Sequence, residues 1–310
     1  VSLTLQLVGD VVAAQLGELV LQGGGGEPVD LRRTIMAHGV ATLPPNEVDE
    51  AIPSLETTLV TGEGTARTLR IAKARPGVAM VSVLSGELAA GEAEHLLLTA
   101  RRLLRLDEDL SPFYRLAASD PRLHWAVTGA GRMLRSPTVF EDVVKTICTT
   151  NCAWSATERM VGALVGQLGP IDARGRHAFP PPQTMAGASA DFFRDVVRAG
   201  YRGAYLRALA QEVAEERLDL ECLSDPELPD AEAEARLLAL PGVGPYAAAH
   251  IMLTGLGRYS RLVLDSWTRP TYARLTGRTA SDKAIARSFR GYRAHRGLAF
   301  WLYLTRSWCE

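Results

Sequence analysis

A short segment between two helix-like stretches, Leu-Pro-Gly-Val-Gly at positions 240–244, constrains the fold more than any other part of the sequence. Pro241 disfavours helical geometry in the residue before it, so the preceding helix must end there. Gly242 and Gly244 permit a left-handed backbone and close approach of another chain, and Pro245 suits the first turn of a following helix. The segment therefore predicts a tight helix–hairpin–helix whose exposed amides form an anion site that fits a phosphodiester. The alternative is an ordinary turn between two helices, which also uses glycine.

The spacing of apolar residues changes along the chain, and this change predicts an α+β protein with two domains. Short alternating or β-branched segments between Gly and Pro are typical of an antiparallel, β-rich amino-terminal domain over residues 1–95. Helical spacing predicts an all-α region over residues 96–310. The predicted strands are 1–6, 17–22, 56–61 and 68–72, and the predicted helices are 92–106, 139–148, 155–168, 190–199, 204–216, 230–239, 246–256, 267–275 and 282–292. The four glycines at 23–26 lack the setting of a phosphate-binding loop and predict a flexible loop.

The net charge of −1 hides an uneven distribution of charge. Residues 211–239 carry ten acidic side chains against two arginines, whereas residues 240–310 carry eleven basic side chains against three acidic ones. A near-neutral total therefore does not exclude a polyanionic partner, because a partner responds to the local field. The basic part contains the hairpin segment.

Composition and cysteine usage exclude several classes of protein. A hydrophobic fraction of 47% with 22% charged residues is ordinary for a globular chain and excludes intrinsic disorder. The four cysteines are too few and too scattered for a disulfide scaffold, and the spacing of Cys148 and Cys152 is a poor metal signal. The amino terminus lacks a secretory pattern and no run is long enough to span a membrane, so we expect a cytoplasmic protein, associated with the nucleoid, without a membrane partner.

Asp265 is the carboxylate whose position is most informative. It follows the apolar, strand-like residues 262–264 and precedes Ser266 and Trp267, which open a predicted helix. A carboxylate at that place is also a common helix cap, so capping alone would account for it.

The hairpin and this aspartate together resemble the HhH-GPD superfamily of DNA base-excision glycosylases, in which a catalytic Asp follows the hairpin after about twenty residues. Here Asp265 lies twenty-one residues after Gly244. Segments 139–144 and 147–151 resemble the family's first core helix and the loop at the lesion, and 200–205 resembles the turn that follows. His38 and Gly39, with residues 43–45, are similar to the amino-terminal domain of the 3-methyladenine glycosylase II and 8-oxoguanine glycosylase branches.

The resemblance implies roles for particular residues. Asp265 would be the catalytic carboxylate, which stabilises an oxocarbenium-like transition state and orients water. A flipped base needs an aromatic pocket, although core packing is the alternative for each aromatic residue taken singly. The candidates for the base pocket are Tyr246, His250, Trp267, Trp154 and Tyr201; those for DNA binding are the amides of Gly242, Val243 and Gly244, Asn151 in the gap left by the flipped base, and the cations Arg258 and Arg261. Asn151 has a turn or helix cap as its alternative.

Tyr246 occupies the position at which strand-cleaving members of the family carry a Schiff-base lysine. Its identity predicts a monofunctional hydrolase acting on an alkylated purine in double-stranded DNA. Only Cys309 lies near the carboxyl terminus, where some relatives bind an iron–sulfur cluster, so we expect no cluster, no metal and no other cofactor. We expect a monomer. The alternatives are a non-catalytic helix–hairpin–helix DNA-binding protein and an oxidised-purine glycosylase without the lyase lysine.

Overall fold

The computed structural model describes residues 4–8, 11–62 and 64–309, and it has the α+β architecture that the sequence predicts. The amino-terminal part forms one antiparallel sheet in the order β1-β2-β6-β5-β4-β3. The strands are β1 Thr4–Val8, β2 Val11–Val20, β3 Asn46–Asp49, β4 Ser54–Val60, β5 Ala66–Arg75 and β6 Val78–Val83.

All four predicted strand regions contain strand in the described residues, and two strands were not predicted. Residues 1–3 of the first prediction lie outside the described residues. β6 was missed although it is a short apolar run, and it completes a hairpin with β5 through Gly77 at a φ of 74°. β3 was missed because Asn46–Asp49 carries three polar side chains and pairs with β4 alone, at the edge of the sheet.

The remainder of the described chain is helical and includes several elements that the sequence did not predict, among them the last helix. The α-helices are α1 Leu31–Ile35, α2 Glu92–Leu103, α3 Ser111–Ala117, α4 Val139–Thr149, α5 Trp154–Leu168, α6 Pro182–Gly187, α7 Arg202–Ala214, α8 Asp230–Leu238, α9 Pro245–Thr254, α10 Thr268–Thr276, α11 Asp282–Ser288 and α12 Arg296–Cys309. Short 3-10 helices lie at Gly39–Thr42, His124–Thr128, Glu221–Ser224 and Arg290–His295. The prediction of a helix at 190–199 is corrected to a π-helical turn at Phe192–Val196. Within the described residues, no helix has the length and apolar character needed to cross a membrane.

Three apolar clusters hold these elements together. The first joins the sheet to α1 and α2, the second surrounds α4, α5, α7 and α9, and the third packs α12 against α3 and the region around α10 and α11. Two of the clusters include residues from both the amino-terminal part and the helical part. Val40 and Leu43 pack with the α4 cluster, and Ala37 packs with the α12 cluster. A domain boundary near residue 95 stays a prediction.

The four glycines at 23–26 form a hydrogen-bonded turn, and the flexibility of this segment stays a prediction. The amide of Gly23 donates to the carbonyl of Glu27 at 2.9 Å. A Cβ atom on Gly23 would collide with Nη2 of Arg132, so only glycine fits there. The fully buried Arg132 guanidinium pairs with the Glu27 carboxylate and also donates to the carbonyl of Glu108 at 3.0 Å. The turn therefore covers an ion pair that links the amino-terminal part to the helical part.

Removing one partner of this pair should destabilise the protein strongly. We expect Arg132→Met to lower the free energy of unfolding by about 3–5 kcal/mol, because it leaves the buried Glu27 carboxylate uncompensated. Urea unfolding followed by circular dichroism measures the change. Arg75→Met is the matched control, since Arg75 and its partner Glu18 are largely exposed, and it should change stability little. Equal stability of Arg132→Met and the wild type would contradict the prediction.

Candidate functional site

One large cavity lies where the hairpin, the end of α4 and the start of α10 meet. Its volume is about 880 Å³. Five different parts of the helical region line it, together with the 3-10 turn at Gly39–Thr42 from the amino-terminal part. The lining residues are Gly39, Val40, Thr149, Thr150, Asn151, Cys152, Trp154, Thr157, Tyr201, Tyr205, Gly242, Gly244, Pro245, Tyr246, Ala247, His250, Leu264, Asp265, Ser266, Trp267, Arg269, Trp301 and Trp308.

The hairpin forms where it was predicted, between α8 and α9. Gly242 has a φ of 80°, and a Cβ atom there would lie 2.8 Å from the ring of Tyr205, so both the backbone and the packing require glycine. Gly244 differs from the prediction, because its backbone is extended (φ −96°, ψ −176°) and no atom lies within 4 Å of its would-be Cβ. Gly244 faces open space at the cavity and directly precedes Pro245, which begins α9.

The amide of Val243 is used inside the turn. Val243 is buried, and its N–H donates to the carbonyl of Leu240 at 3.2 Å, so its contact with a phosphate stays a prediction. Within the turn, Pro241 and Gly244 are exposed, whereas Gly242 is half-buried against Tyr205.

Asp265 both caps a helix and lines the cavity, so the two interpretations of this residue are compatible. Its Oδ1 accepts from the backbone N–H groups of Trp267 at 2.9 Å and Thr268 at 2.6 Å. Its own N–H donates to Oγ1 of Thr268 at 2.8 Å. These three bonds fix the carboxylate at the start of α10, half-buried at the cavity wall, and they use one of its two oxygens.

Tyr246 and His250 form the inner wall on α9, one helical turn apart, with ring centroids 5.9 Å from each other. The Tyr246 hydroxyl shares a hydrogen bond of 3.1 Å with Oγ1 of Thr149 at the end of α4, and burial raises the pKa of Tyr246. Burial lowers the pKa of His250 to about 4, so its imidazole is neutral at physiological pH. The inner wall is aromatic and uncharged.

Two further aromatic residues that the sequence did not identify come from α12. Trp301 lies 6.0 Å from His250 in an edge-to-face arrangement, and its Nε1 donates to the carbonyl of Ala37 at 2.9 Å. Trp308 lies 5.2 Å from Trp267, and both rings are more than one-third exposed at the cavity mouth. A period of three to four in the apolar residues of 298–308 is the signal that could have predicted α12, but not that its face reaches this cavity.

Another part of the cavity lining is formed by Trp154, Asn151 and Tyr201. The sequence analysis predicts that these three residues belong to the same site as Asp265. Trp154 begins α5 and packs over Gly39, whose would-be Cβ lies 3.2 Å from the indole. Nδ2 of Asn151 donates to the Tyr201 hydroxyl at 3.3 Å. This hydrogen bond, ahead of smaller effects of Thr150 and Arg202, lowers the pKa of Tyr201. All five predicted pocket residues therefore line one cavity together with Asp265.

The cations Arg258 and Arg261 lie away from the cavity. Arg258 donates to Asp230 at 2.8 Å and to the carbonyls of Leu223, Leu228 and Asp225, and Arg261 pairs with Glu234. These bonds brace the chain after α9 against α8. Their contact with DNA stays a prediction, whereas Arg269 lines the cavity and pairs with Asp282.

No protein-family model matches the sequence. Among curated relatives, the chain is 26% identical over 201 residues to a protein of Methanothermobacter thermautotrophicus named "Probable N-glycosylase/DNA lyase", covering 57% of this chain and 63% of that protein. It is 32% identical over 164 residues to the "Probable bifunctional transcriptional activator/DNA repair enzyme AlkA" of Mycobacterium tuberculosis, covering 51% of this chain and 32% of the relative. The chain thus matches less than two thirds of the length of either protein.

Solved structures share the fold over nearly the whole chain. The 3-methyladenine DNA-glycosylase from Archaeoglobus fulgidus superposes with a TM-score of 0.72 at 21% identity, covering 94% of this chain and 98% of that one. The Clostridium acetobutylicum 8-oxoguanine glycosylase/lyase, in complex with double-stranded DNA containing cytosine opposite 8-oxoguanine, superposes with a TM-score of 0.67 at 19% identity, covering 98% of both chains. The folds of these solved glycosylases and the names of the curated relatives agree with the resemblance to DNA glycosylases that the sequence indicates.

The two hairpin glycines should respond differently to alanine. We expect Gly242→Ala to lower the free energy of unfolding by about 1–3 kcal/mol, because alanine is strained at positive φ and collides with Tyr205. Gly244→Ala, at an extended backbone facing open space, should leave stability unchanged. Urea unfolding of both variants measures the difference, and equal stabilities would contradict this account of the turn.

Proposed function

We propose that this protein is a monofunctional DNA glycosylase of base excision repair, which hydrolyses the N-glycosidic bond of an alkylated purine flipped out of double-stranded DNA. The observation that carries the proposal is the placement of a fixed carboxylate, Asp265, in one cavity with an uncharged aromatic wall and an exposed glycine hairpin. The curated relatives named for N-glycosylase and DNA repair activity support it.

In the proposed reaction, Asp265 acts electrostatically. Cleavage of the bond between C1′ and the base nitrogen develops positive charge on the sugar, and a preorganised carboxylate stabilises that charge. The two backbone N–H groups that hold Oδ1 fix the carboxylate before substrate binds, while Oδ2 is left to face the sugar or an attacking water. Water adds to C1′, and the base leaves with the bonding electron pair.

The cavity suits a cationic, alkylated base. Tyr246, Trp267 and Trp301 offer aromatic rings, and a cation is attracted to the face of such rings. The neutral imidazole of His250 adds no opposing positive charge. An alkylated purine is already a good leaving group, so the site needs no strong general acid.

The proposed partner is DNA, bound by a monomer. Gly242 and Gly244 present the outer surface of the hairpin directly before the amino-terminal end of α9, where a phosphate is favoured. The exposed rings at the mouth of the cavity, such as Trp154 and Tyr201, would contact the distorted duplex.

We propose that the reaction needs neither a lysine nucleophile nor a cofactor. Of the three lysines of the chain, Lys73 lies on β5, Lys283 is exposed on α11, and Lys145 is buried at 2.7 Å from Glu141; none lines the cavity that the described residues form. Across residues 4–8, 11–62 and 64–309, no three His, Cys, Asp or Glu side chains are grouped as a metal site would require. The spread of Cys148, Cys152 and Cys222 over the chain does not fit an iron–sulfur site, which needs four clustered cysteine ligands.

Asp265→Asn tests the catalytic role with little effect on the fold, because asparagine also caps helices. We expect excision from an alkylated duplex to fall by about 10²–10³-fold, since the variant keeps the cap and loses the charge. Base release under single-turnover conditions measures the effect, and Asp195→Asn, which changes an exposed carboxylate away from the cavity, is the control. Equal release by wild type and Asp265→Asn would remove Asp265 from the mechanism. Failure of wild type on every lesion would favour a non-catalytic DNA-binding protein.

Borohydride trapping tests the absence of an amine nucleophile. We expect wild type to give no trapped adduct with a duplex containing an alkylated purine or 8-oxoguanine, because no lysine lines the described cavity. Tyr246→Lys places an amine on the inner wall and provides a positive control for trapping. A borohydride-dependent adduct of wild type would contradict the proposal. It would instead support a strand-cleaving activity like the one in the name of the Methanothermobacter relative, an N-glycosylase/DNA lyase.

A further inference from the structure

Arg202, the first residue of α7, turns its guanidinium inward although it lies at the mouth of the cavity. The residue is 7% exposed. Its Nη2 donates to the carbonyl of Thr150, its Nε donates to the Thr150 hydroxyl at 3.2 Å, and its Nη1 donates to the carbonyl of Ala199 at 3.4 Å. Three nitrogens of one planar group are thus used to hold two backbone segments together.

The segment held by Arg202 directly follows α4 and carries Asn151, which is exposed at the cavity. Asn151 has a φ of 47°, a left-handed conformation that asparagine adopts more readily than most residues other than glycine. The bonds from Arg202 to Thr150 hold the residue that precedes this turn. An exposed asparagine at a left-handed turn is therefore held in place by a buried arginine.

Arg202 also supports the neighbouring ring. Its guanidinium carbon lies 4.5 Å from the centroid of the Tyr201 ring, which is 54% exposed and accepts the hydrogen bond from Asn151. Tyr201 packs edge-to-face on Tyr205 at 6.0 Å, and Tyr205 packs on Gly242 of the hairpin. One arginine thus contacts Thr150, which precedes Asn151, and also Tyr201, the second member of the exposed Asn151–Tyr201 pair.

We propose that Arg202 is a positioning residue that preforms the Asn151–Tyr201 pair as a rigid wedge for opening duplex DNA, and that it does not itself read a base. The inference rests on the proposed function. Its basis is that the guanidinium is buried and occupied by protein carbonyls, while the two residues it fixes are exposed at the mouth of the cavity. A wedge that is already ordered does not lose side-chain and loop entropy on binding.

A positioning role predicts a loss that depends on the strandedness of the DNA. Flipping a base from a duplex costs unpairing and unstacking, whereas a single strand requires little of either. Arg202→Lys keeps the charge and loses the planar fork of donors. We expect it to reduce single-turnover excision from a duplex by about 10- to 100-fold and to leave excision from the same lesion in a single strand within about twofold of wild type.

The matched control is Arg207→Lys, since Arg207 lies on the same helix and lines a separate small cavity away from Asn151. It should leave both rates unchanged. If Arg202→Lys fails to fold, Thr150→Val removes the hydroxyl that accepts from Arg202, together with its own bond to the carbonyl of Ile147, and allows the same comparison. An equal loss on both substrates, or no loss on the duplex, would overturn the proposal.

Two further measurements separate this proposal from its rivals. The loss on the duplex should be the same for all four opposing bases, because the guanidinium faces inward; a loss confined to one opposing base would show base reading and overturn the proposal. Amide hydrogen exchange of residues 149–153 in the free protein should be about tenfold faster or more in Arg202→Lys and unchanged in Arg207→Lys. If wild type releases no base, the proposed function fails, yet the exchange rates still decide whether Arg202 orders this loop.

Discussion

The left-handed backbone at Gly242 is the constraint on which the rest of the site depends. It allows α9 to begin at Pro245, directly after the turn, so that Tyr246 and His250 lie on the cavity wall in the first two turns of that helix. The missing side chain also admits Tyr205 against the turn. The hairpin, the inner wall on α9 and Tyr205 of α7 therefore all depend on the backbone at Gly242, and a change in this turn would move all three.

How far the sequence predicts the site depends on whether local rules decide a residue's position. Proline and glycine rules predict the hairpin, whereas the role of Asp265 is implied by the resemblance to a glycosylase family that has an aspartate at this distance from its hairpin. The same rules did not show that the Val243 amide is used inside the turn, because this depends on the hydrogen bond to Leu240. Trp301 and Trp308 were missed for a different reason. A helical period shows that one face of α12 is buried, but only tertiary packing decides that this face meets His250 and Trp267.

Some side chains of the acidic segment 211–239 contact side chains of the basic segment 240–310. The acidic residues Asp230 and Glu234 of α8 pair with Arg258 and Arg261 from the basic segment. These four charges cancel in the net charge of the chain. They also form two ion pairs beside the hairpin, so they are neutralised locally. In the proposed complex with DNA, the attraction of this surface for phosphate would therefore depend more on the backbone amides at Gly242 and Gly244 than on these two arginines.

The wall of the cavity is formed by both halves of the chain. Trp301 donates a hydrogen bond to the carbonyl of Ala37, and Trp154 contacts Gly39. The segment 37–40, between α1 and the 3-10 turn, is therefore part of what shapes the cavity. In evolution, substitutions in either of two distant stretches of the gene would alter the shape of such a cavity. Recombination that exchanges one half alone would bring together surfaces that had not been selected to fit.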